Sequence, residues 1–199
     1  MLEVHPIFQT PIFVCELNGI TDACDLEPYI RKCCSDTPGK FEHGMVVQSR
    51  YDLNRDEKLA PLCREIFEIA RSIAQNVYRY SPNYVVEITS MWGNIQKPGC
   101  FFPAHIHHNN VFSGVFYLND DDGFPPVTFW RPTETMLDPK KQEYNVFNQG
   151  SFRRPVKKDT LIMFPAWLNH SVDINTTARD RVGISFNLML RGEYYNTRM

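Results

Sequence analysis

No stretch of this sequence is apolar for long enough to cross a membrane, and its first residues, Met1-Leu2-Glu3-Val4-His5-Pro6, lack the apolar core of a secretion signal. Cationic blocks are missing as well. The 21 Lys and Arg stand against 23 Asp and Glu, for a formal net charge of −2, and no basic run exceeds short pairs such as Arg153-Arg154 and Lys157-Lys158. That distribution offers no electrostatic footprint for nucleic acid. Among Cys15, Cys24, Cys33, Cys34, Cys63 and Cys100 there is no Cys-x-x-Cys pair, which argues against a cysteine zinc site and against a secreted disulfide framework. Internal repeats and low-complexity segments are absent too. The expectation is a cytoplasmic, reduced protein with neither nucleic acid nor membrane as partner.

What is present is enough material for one good core: 199 residues, 43% of them hydrophobic. A single domain over 1–199 is expected, with a strand and helices in 1–83 buttressing a β-rich core in 84–190. Residues 7–15, β-branched and aromatic around Pro11, suit an edge strand, where a missing backbone donor is tolerated. Thr21-Asp22 can cap a short helix carrying Leu26, Tyr29, Ile30 and Cys33 at helical spacing, with one thiol of Cys33-Cys34 buried. A minor strand is expected at 45–47. The clearest helix spans about 57–80, where Leu59, Leu62, Cys63, Ile66, Phe67, Ala70, Ile73, Ala74 and Val77 trace one stripe before Ser81-Pro82-Asn83 ends it.

From residue 84 onward the pattern is strands and turns. Strands are expected at 84–94, 104–107, 114–118, 127–130, more weakly 144–147, then 160–164 and 182–190. Many short strands with helices confined to the first half argue for a mainly β protein, a jelly-roll, cupin-like barrel with helices packed outside.

Three of the six histidines fall at 105, 107 and 108. Side chains alternate along an extended segment, so His105 and His107 project from one face and can share one metal ion. In such a barrel a third ligand belongs on a later strand, and His170 ends an apolar run, Leu161 to Asn169, broken by Pro165. Eleven residues on, the chain alternates strictly. Arg181, Gly183, Ser185 and Asn187 lie on one face, and Val182, Ile184, Phe186 and Leu188 on the other. The polar face is built to grip an anion, since a guanidinium binds a carboxylate through two parallel hydrogen bonds.

His105, His170 and Arg181, in that order on a β-rich chain, resemble the 2-oxoglutarate/Fe(II)-dependent oxygenase superfamily. Its double-stranded β-helix carries a His-x-Asp/Glu pair, a distal His and a following Arg. Trp92-Gly93-Asn94-Ile95, His105-Ile106-His107, Ser113-Gly114-Val115-Phe116-Tyr117-Leu118, Phe164-Pro165-Ala166-Trp167-Leu168-Asn169-His170-Ser171-Val172 and 181–187 are similar to a small family of that class. The resemblance implies a mononuclear Fe(II) centre, 2-oxoglutarate as co-substrate and O2 as oxidant. A peptide side chain or small metabolite would be oxidised with release of succinate and CO2. Arg181 would pair with the distal carboxylate of 2-oxoglutarate, helped by Ser185, Ser113, Tyr117 or Asn94. The departure is His107, which stands where the superfamily has a carboxylate. The expected ligands are His105, His107 and His170, with His108, a shifted register through Asn109, or water as alternatives for the third place. Trp92, Phe102, Tyr117, Phe129, Trp130, Phe164 and Trp167 are expected as core, one or two of them lining a substrate cavity. Competing readings are a cupin-like metalloenzyme without 2-oxoglutarate and a non-catalytic jelly-roll module, and a homodimer is left open.

Overall fold

A computed structural model describes residues 2–5, 8–37, 46–133, 137 and 139–194. The N-terminal part supplies strand β1 (Phe13–Glu16), helices α1 (Ile20–Ala23) and α2 (Leu26–Ser35), the two-residue strand β2 (Val47–Gln48) and helix α3 (Ala60–Ser72). The helix expected over 57–80 is a composite: a 3-10 turn at Glu57–Leu59 leads into α3, which widens into a π turn at Ile73–Val77 before the proline. Met45, part of the expected minor strand, lies outside the described residues.

Eight strands follow: β3 (Val85–Gln96), β4 (Phe102–His105), β5 (Phe112–Tyr117), β6 (Val127–Trp130), β7 (Ser151–Arg154), β8 (Thr160–Pro165), β9 (His170–Val172) and β10 (Arg181–Arg191). They form two antiparallel sheets, a six-stranded one in the order β1-β8-β5-β10-β3-β2 and a four-stranded one in the order β4-β9-β6-β7. The expected N-terminal edge strand begins two residues after Pro11 and, among the described residues, pairs only with β8. The weak strand proposed at 144–147 is corrected: those residues are an exposed turn closed by Asn145 and Asn148, and the strand that pairs with β6 is the next segment, β7.

Two apolar layers follow from alternation. On β10, Val182, Ile184, Phe186 and Leu188 are fully buried beneath α2 and α3, packed with Ile30, Leu62 and Ile66. Their partner β3 keeps both Ile88 and Met91 in this layer because a bulge places Thr89 as an extra residue opposite the Asn187/Leu188 step. The bulge shifts the phase, so Trp92, Asn94 and Gln96 turn to the opposite face. Gly93 lets α2 approach β3 closely, since a Cβ there would sit 2.6 Å from Ile30 Cγ2. A smaller core between the two sheets contains Tyr117, Val127, Phe129, Ile162, Phe164, Leu168 and Val172. No helix among the described residues is long and apolar enough to cross a membrane.

Candidate active site

At one end of the space between the sheets lies a cavity of about 650 Å³ including its mouth, with three imidazoles on one wall and the Arg181 guanidinium on the other. The imidazoles come together through strand pairing. His105 on β4 is directly opposite His170 on β9, and directly opposed residues of an antiparallel pair share a face. His107 follows β4, and its backbone N–H donates to Ala166 O (2.9 Å) in the turn before β9. One ring nitrogen from each of His105, His107 and His170 falls within 4.8 Å of the others, and the His107 and His170 Nε2 atoms are 3.4 Å apart.

The protonation pattern suits a metal. His105 Nδ1 lies 2.7 Å from Pro103 O and His170 Nδ1 lies 2.9 Å from Leu168 O. A carbonyl can only accept, so each Nδ1 carries a hydrogen and Nε2 is the ring nitrogen left to face a metal. Burial, with the neighbouring His105, pushes the His170 imidazole down to about 3 and the His107 imidazole down to about 4. Both are neutral at pH 7 and able to ligate.

His108 and Asn109, considered as alternative third ligands, sit in an exposed turn, Asn109 at φ +60°. Asp120 and Asp121 are bound elsewhere, to Lys158 N–H and Arg179, and Asp173 pairs with Arg153 at 2.7 Å. Among the described residues no carboxylate joins the histidine cluster.

Arg181 is 6% exposed and has no acidic partner among the described residues. Its Nη2 donates to Tyr117 Oη (3.1 Å) and its Nη1 to Gln96 Oε1 (3.3 Å), while Nε is buried with no acceptor. The guanidinium also lies 4.8 Å from the centre of the Tyr117 ring. Burial lowers the Arg181 pKa from its ordinary value and raises that of Tyr117. An unneutralised buried cation is costly, and an anion in the cavity would relieve the cost.

Asn94 and Ser185 also line the cavity, joined by a 2.7 Å hydrogen bond from Asn94 Nδ2 to Ser185 Oγ. Ser113, expected as a further donor, does not line it. It shares the inner face of β5 with Tyr117 but lies opposite Asn187, whose Oδ1 accepts its hydroxyl at 2.7 Å while Asn187 Nδ2 donates to Ser90 Oγ. Of the aromatic residues singled out, Trp92, Phe102, Tyr117 and Phe164 line the cavity. Phe129 is buried between the sheets, and Trp130 and Trp167 are exposed. Two polar residues of the site went unnoticed in the sequence: Gln48, which lines the cavity, and Gln96, which accepts from Arg181. Gln48 comes from a strand too short to leave a pattern, whereas Gln96 continues the Trp92-Asn94 alternation and was readable as the Arg181 partner.

Residues 90–187 match a family model described as "Putative 2OG-Fe(II) oxygenase". Among solved structures, a Pseudomonas putida prolyl-4-hydroxylase is similar with a TM-score of 0.63 at 12% identity, over 92% of this chain and 94% of the other. HygX from Streptomyces hygroscopicus, with nickel, 2-oxoglutarate and hygromycin B bound, gives 0.60 at 10% identity over 90% and 83% of the two chains. A prolyl hydroxylase from Trichoplax adhaerens, in complex with a hypoxia inducible factor oxygen degradation domain peptide fragment, gives 0.60 at 11% identity over 89% and 83%. At such identities the likeness establishes the fold, a double-stranded β-helix. No curated protein sequence matches this chain.

Proposed function

We propose that this protein, whose residues 90–187 match the 2OG-Fe(II) oxygenase family model, oxidises a peptide side chain or small metabolite, converting 2-oxoglutarate to succinate and CO2. The observation that carries this reading is the buried, unneutralised Arg181 in the same cavity as His105, His107 and His170. One wall can bind a divalent cation and the other a carboxylate, a pairing that a dicarboxylic co-substrate satisfies.

The donor set fits iron. Imidazole is a competent ligand for Fe(II), and the two backbone-anchored imidazoles aim their Nε2 atoms away from Pro103 O and Leu168 O. When bound, iron with 2-oxoglutarate and O2 would supply the oxidising power for attack on an unactivated C–H bond. The rest falls to the chain. Arg181 holds the distal carboxylate, its position fixed by Tyr117 Oη and Gln96 Oε1. Val115, Val127, Phe164 and Val172 give the interior apolar walls that exclude water. Exposed Ile106, between two ligands, and exposed Trp167, beside the Ala166 carbonyl that anchors His107, offer apolar surface to a substrate.

Anaerobic addition of Fe(II) and 2-oxoglutarate should produce a weak visible charge-transfer band that is lost in His170→Ala, and aerobic incubation should consume 2-oxoglutarate. Folded protein that gives neither would sink the proposal. Three neutral ligands favour one alternative, a cupin-like metalloenzyme that does not use 2-oxoglutarate. Arg181→Met separates the two, since it abolishes turnover if the co-substrate is needed and spares it otherwise.

A further inference from the structure

Strand β3 pairs with β10 along its whole length, but its other edge is covered only in part. Strand β2 pairs with Asn94 and Ile95, and backbone hydrogen bonds join Ser49 to Gly93 and Tyr51 to Met91. Ahead of the Thr89 bulge, residues 85–88 have no strand on that side among the described residues. Asn54 Nδ2 donates to Ile88 O from there across 3.3 Å, so the Ile88 backbone faces outward, and alternation along an antiparallel strand turns the Val86 N–H and C=O the same way. The Ile88 N–H and both Val86 groups find no protein partner among the described residues. Such an edge is a template for another strand. Lysine and proline commonly blunt strand edges, yet Val85-Val86-Glu87-Ile88 has neither, and its one charge, Glu87, is taken by Arg191.

The open edge lies in a trough of about 920 Å³ including its opening, which shares no lining residue with the histidine cavity. Cys63 and Phe67 of α3 give it apolar surface, and Asp52, Asn54 and Arg55 give it polar surface. Its charges do not cancel. Asp52 pairs with Arg50 at 2.6 Å and Glu87 with Arg191, whereas Arg55 has no ion-pair partner among the described residues. We infer that this trough binds an extended peptide segment of another protein as an added strand beside β3, with an apolar side chain toward Phe67 and a carboxylate toward Arg55. Main-chain hydrogen bonds to Val86 and Ile88 supply the affinity, and the two side-chain contacts supply the selectivity. Because α3 and residues 52–55 flank the edge, a single chain fits beside β3 where the edge of a second folded sheet would meet the helix.

The test uses the intact chain and a probe peptide, acetyl-Thr-Val-Asp-Val-Thr-Val-amide, whose β-branched residues favour the extended state and whose Asp supplies the carboxylate. On titration to millimolar peptide, the Val86 and Ile88 amides should shift in heteronuclear NMR spectra and exchange with solvent more slowly, while those of His105 and His170 stay unchanged. Alternate amides of a strand point to opposite edges, so of two peptides N-methylated at one alternate set or the other, one should bind and the other should not. Val86→Pro removes an outward donor and leaves the ladder to β10 whole, so it should weaken the peptide about tenfold. Arg55→Glu, at an exposed position, should weaken it severalfold, and less so in added salt. No binding, equal binding of both N-methylated peptides, or binding untouched by Val86→Pro and Arg55→Glu overturns the assignment. A concentration-dependent dimer that Val86→Pro abolishes also overturns it, giving the edge to a second copy of the chain.

Discussion

At the scale of single residues, the chemistry rests on groups held in states that water would not favour. Arg181 is buried without a counter-charge, so its contribution to the apo fold is small or negative. Arg181→Met should leave the melting temperature of the apo protein within a few degrees of wild type, even though Tyr117 Oη loses its donor, while 2-oxoglutarate affinity falls by about a hundredfold or more. Thermal unfolding and co-substrate titration on one preparation check both halves, and a large drop in apo stability would mean that the guanidinium is structural. The imidazoles give a pH dependence of definite sign. His170 and His107 hold their protons less well folded, at about 3 and about 4, than unfolded, at about 6.5. Between those limits the unfolded chain binds more protons, so this contribution to stability is complete above about pH 6.5 and is lost as pH falls toward 4 and 3. Denaturant midpoints of apo protein from pH 7.5 to 4.5 should decline, and His170→Gln should flatten the decline. Equal slopes would mean that carboxylates elsewhere dominate. His105, His107, His170 and Arg181 were legible in the sequence because rare chemical types fell in a telling order. Gln48 was not, because nothing local marks a two-residue strand. Ser113 was misread because alternation reveals which face a residue takes but not how far along the barrel it lies.

Among the elements, β10 is the one whose sequence states its environment in full: strict alternation set Val182, Ile184, Phe186 and Leu188 against the helices and Arg181, Gly183 and Ser185 toward the cavity. β3 read less cleanly, because the extra Thr89 shifts its phase and a period-two pattern cannot anticipate a bulge. β7 and β9 escaped notice for a different reason. Short strands, four and three residues long, take their character from partners far away in sequence rather than from their own composition. Long-range pairing also makes the centre of the large sheet intolerant. A Cβ on Gly114 of β5 would lie 2.3 Å from the Phe186 ring and 2.6 Å from the Ile162 carbonyl oxygen, and the second neighbour is backbone. Gly114→Ala should therefore destabilise by about 1–3 kcal/mol, lowering the melting temperature by several degrees. An unchanged melting temperature would mean that the β5–β8–β10 spacing relaxes at no cost.

Across the whole molecule, the two halves of the site belong to different sheets. His105 and His170 sit on β4 and β9 of the four-stranded sheet, with His107 just beyond β4, whereas Arg181 belongs to β10 of the six-stranded one. A metal ion alone would tie β4 to β9 within one sheet. A diacid that meets the metal at one end and Arg181 at the other would tie the sheets together across the cavity, and it needs both anchors to do so. Stabilisation by the two ligands should consequently be cooperative. With Ni(II) as an inert substitute and each ligand at a hundred times its dissociation constant, 2-oxoglutarate added to metal-loaded protein should contribute about 2.7 kcal/mol, or roughly 5–10 °C. At the same concentration it should do little for metal-free protein. Arg181→Met should keep the increment from Ni(II) and lose the one from 2-oxoglutarate, while His170→Ala should lose both. Equal 2-oxoglutarate stabilisation with and without metal would place the diacid on Arg181 alone, leaving the histidine wall without a part in holding it.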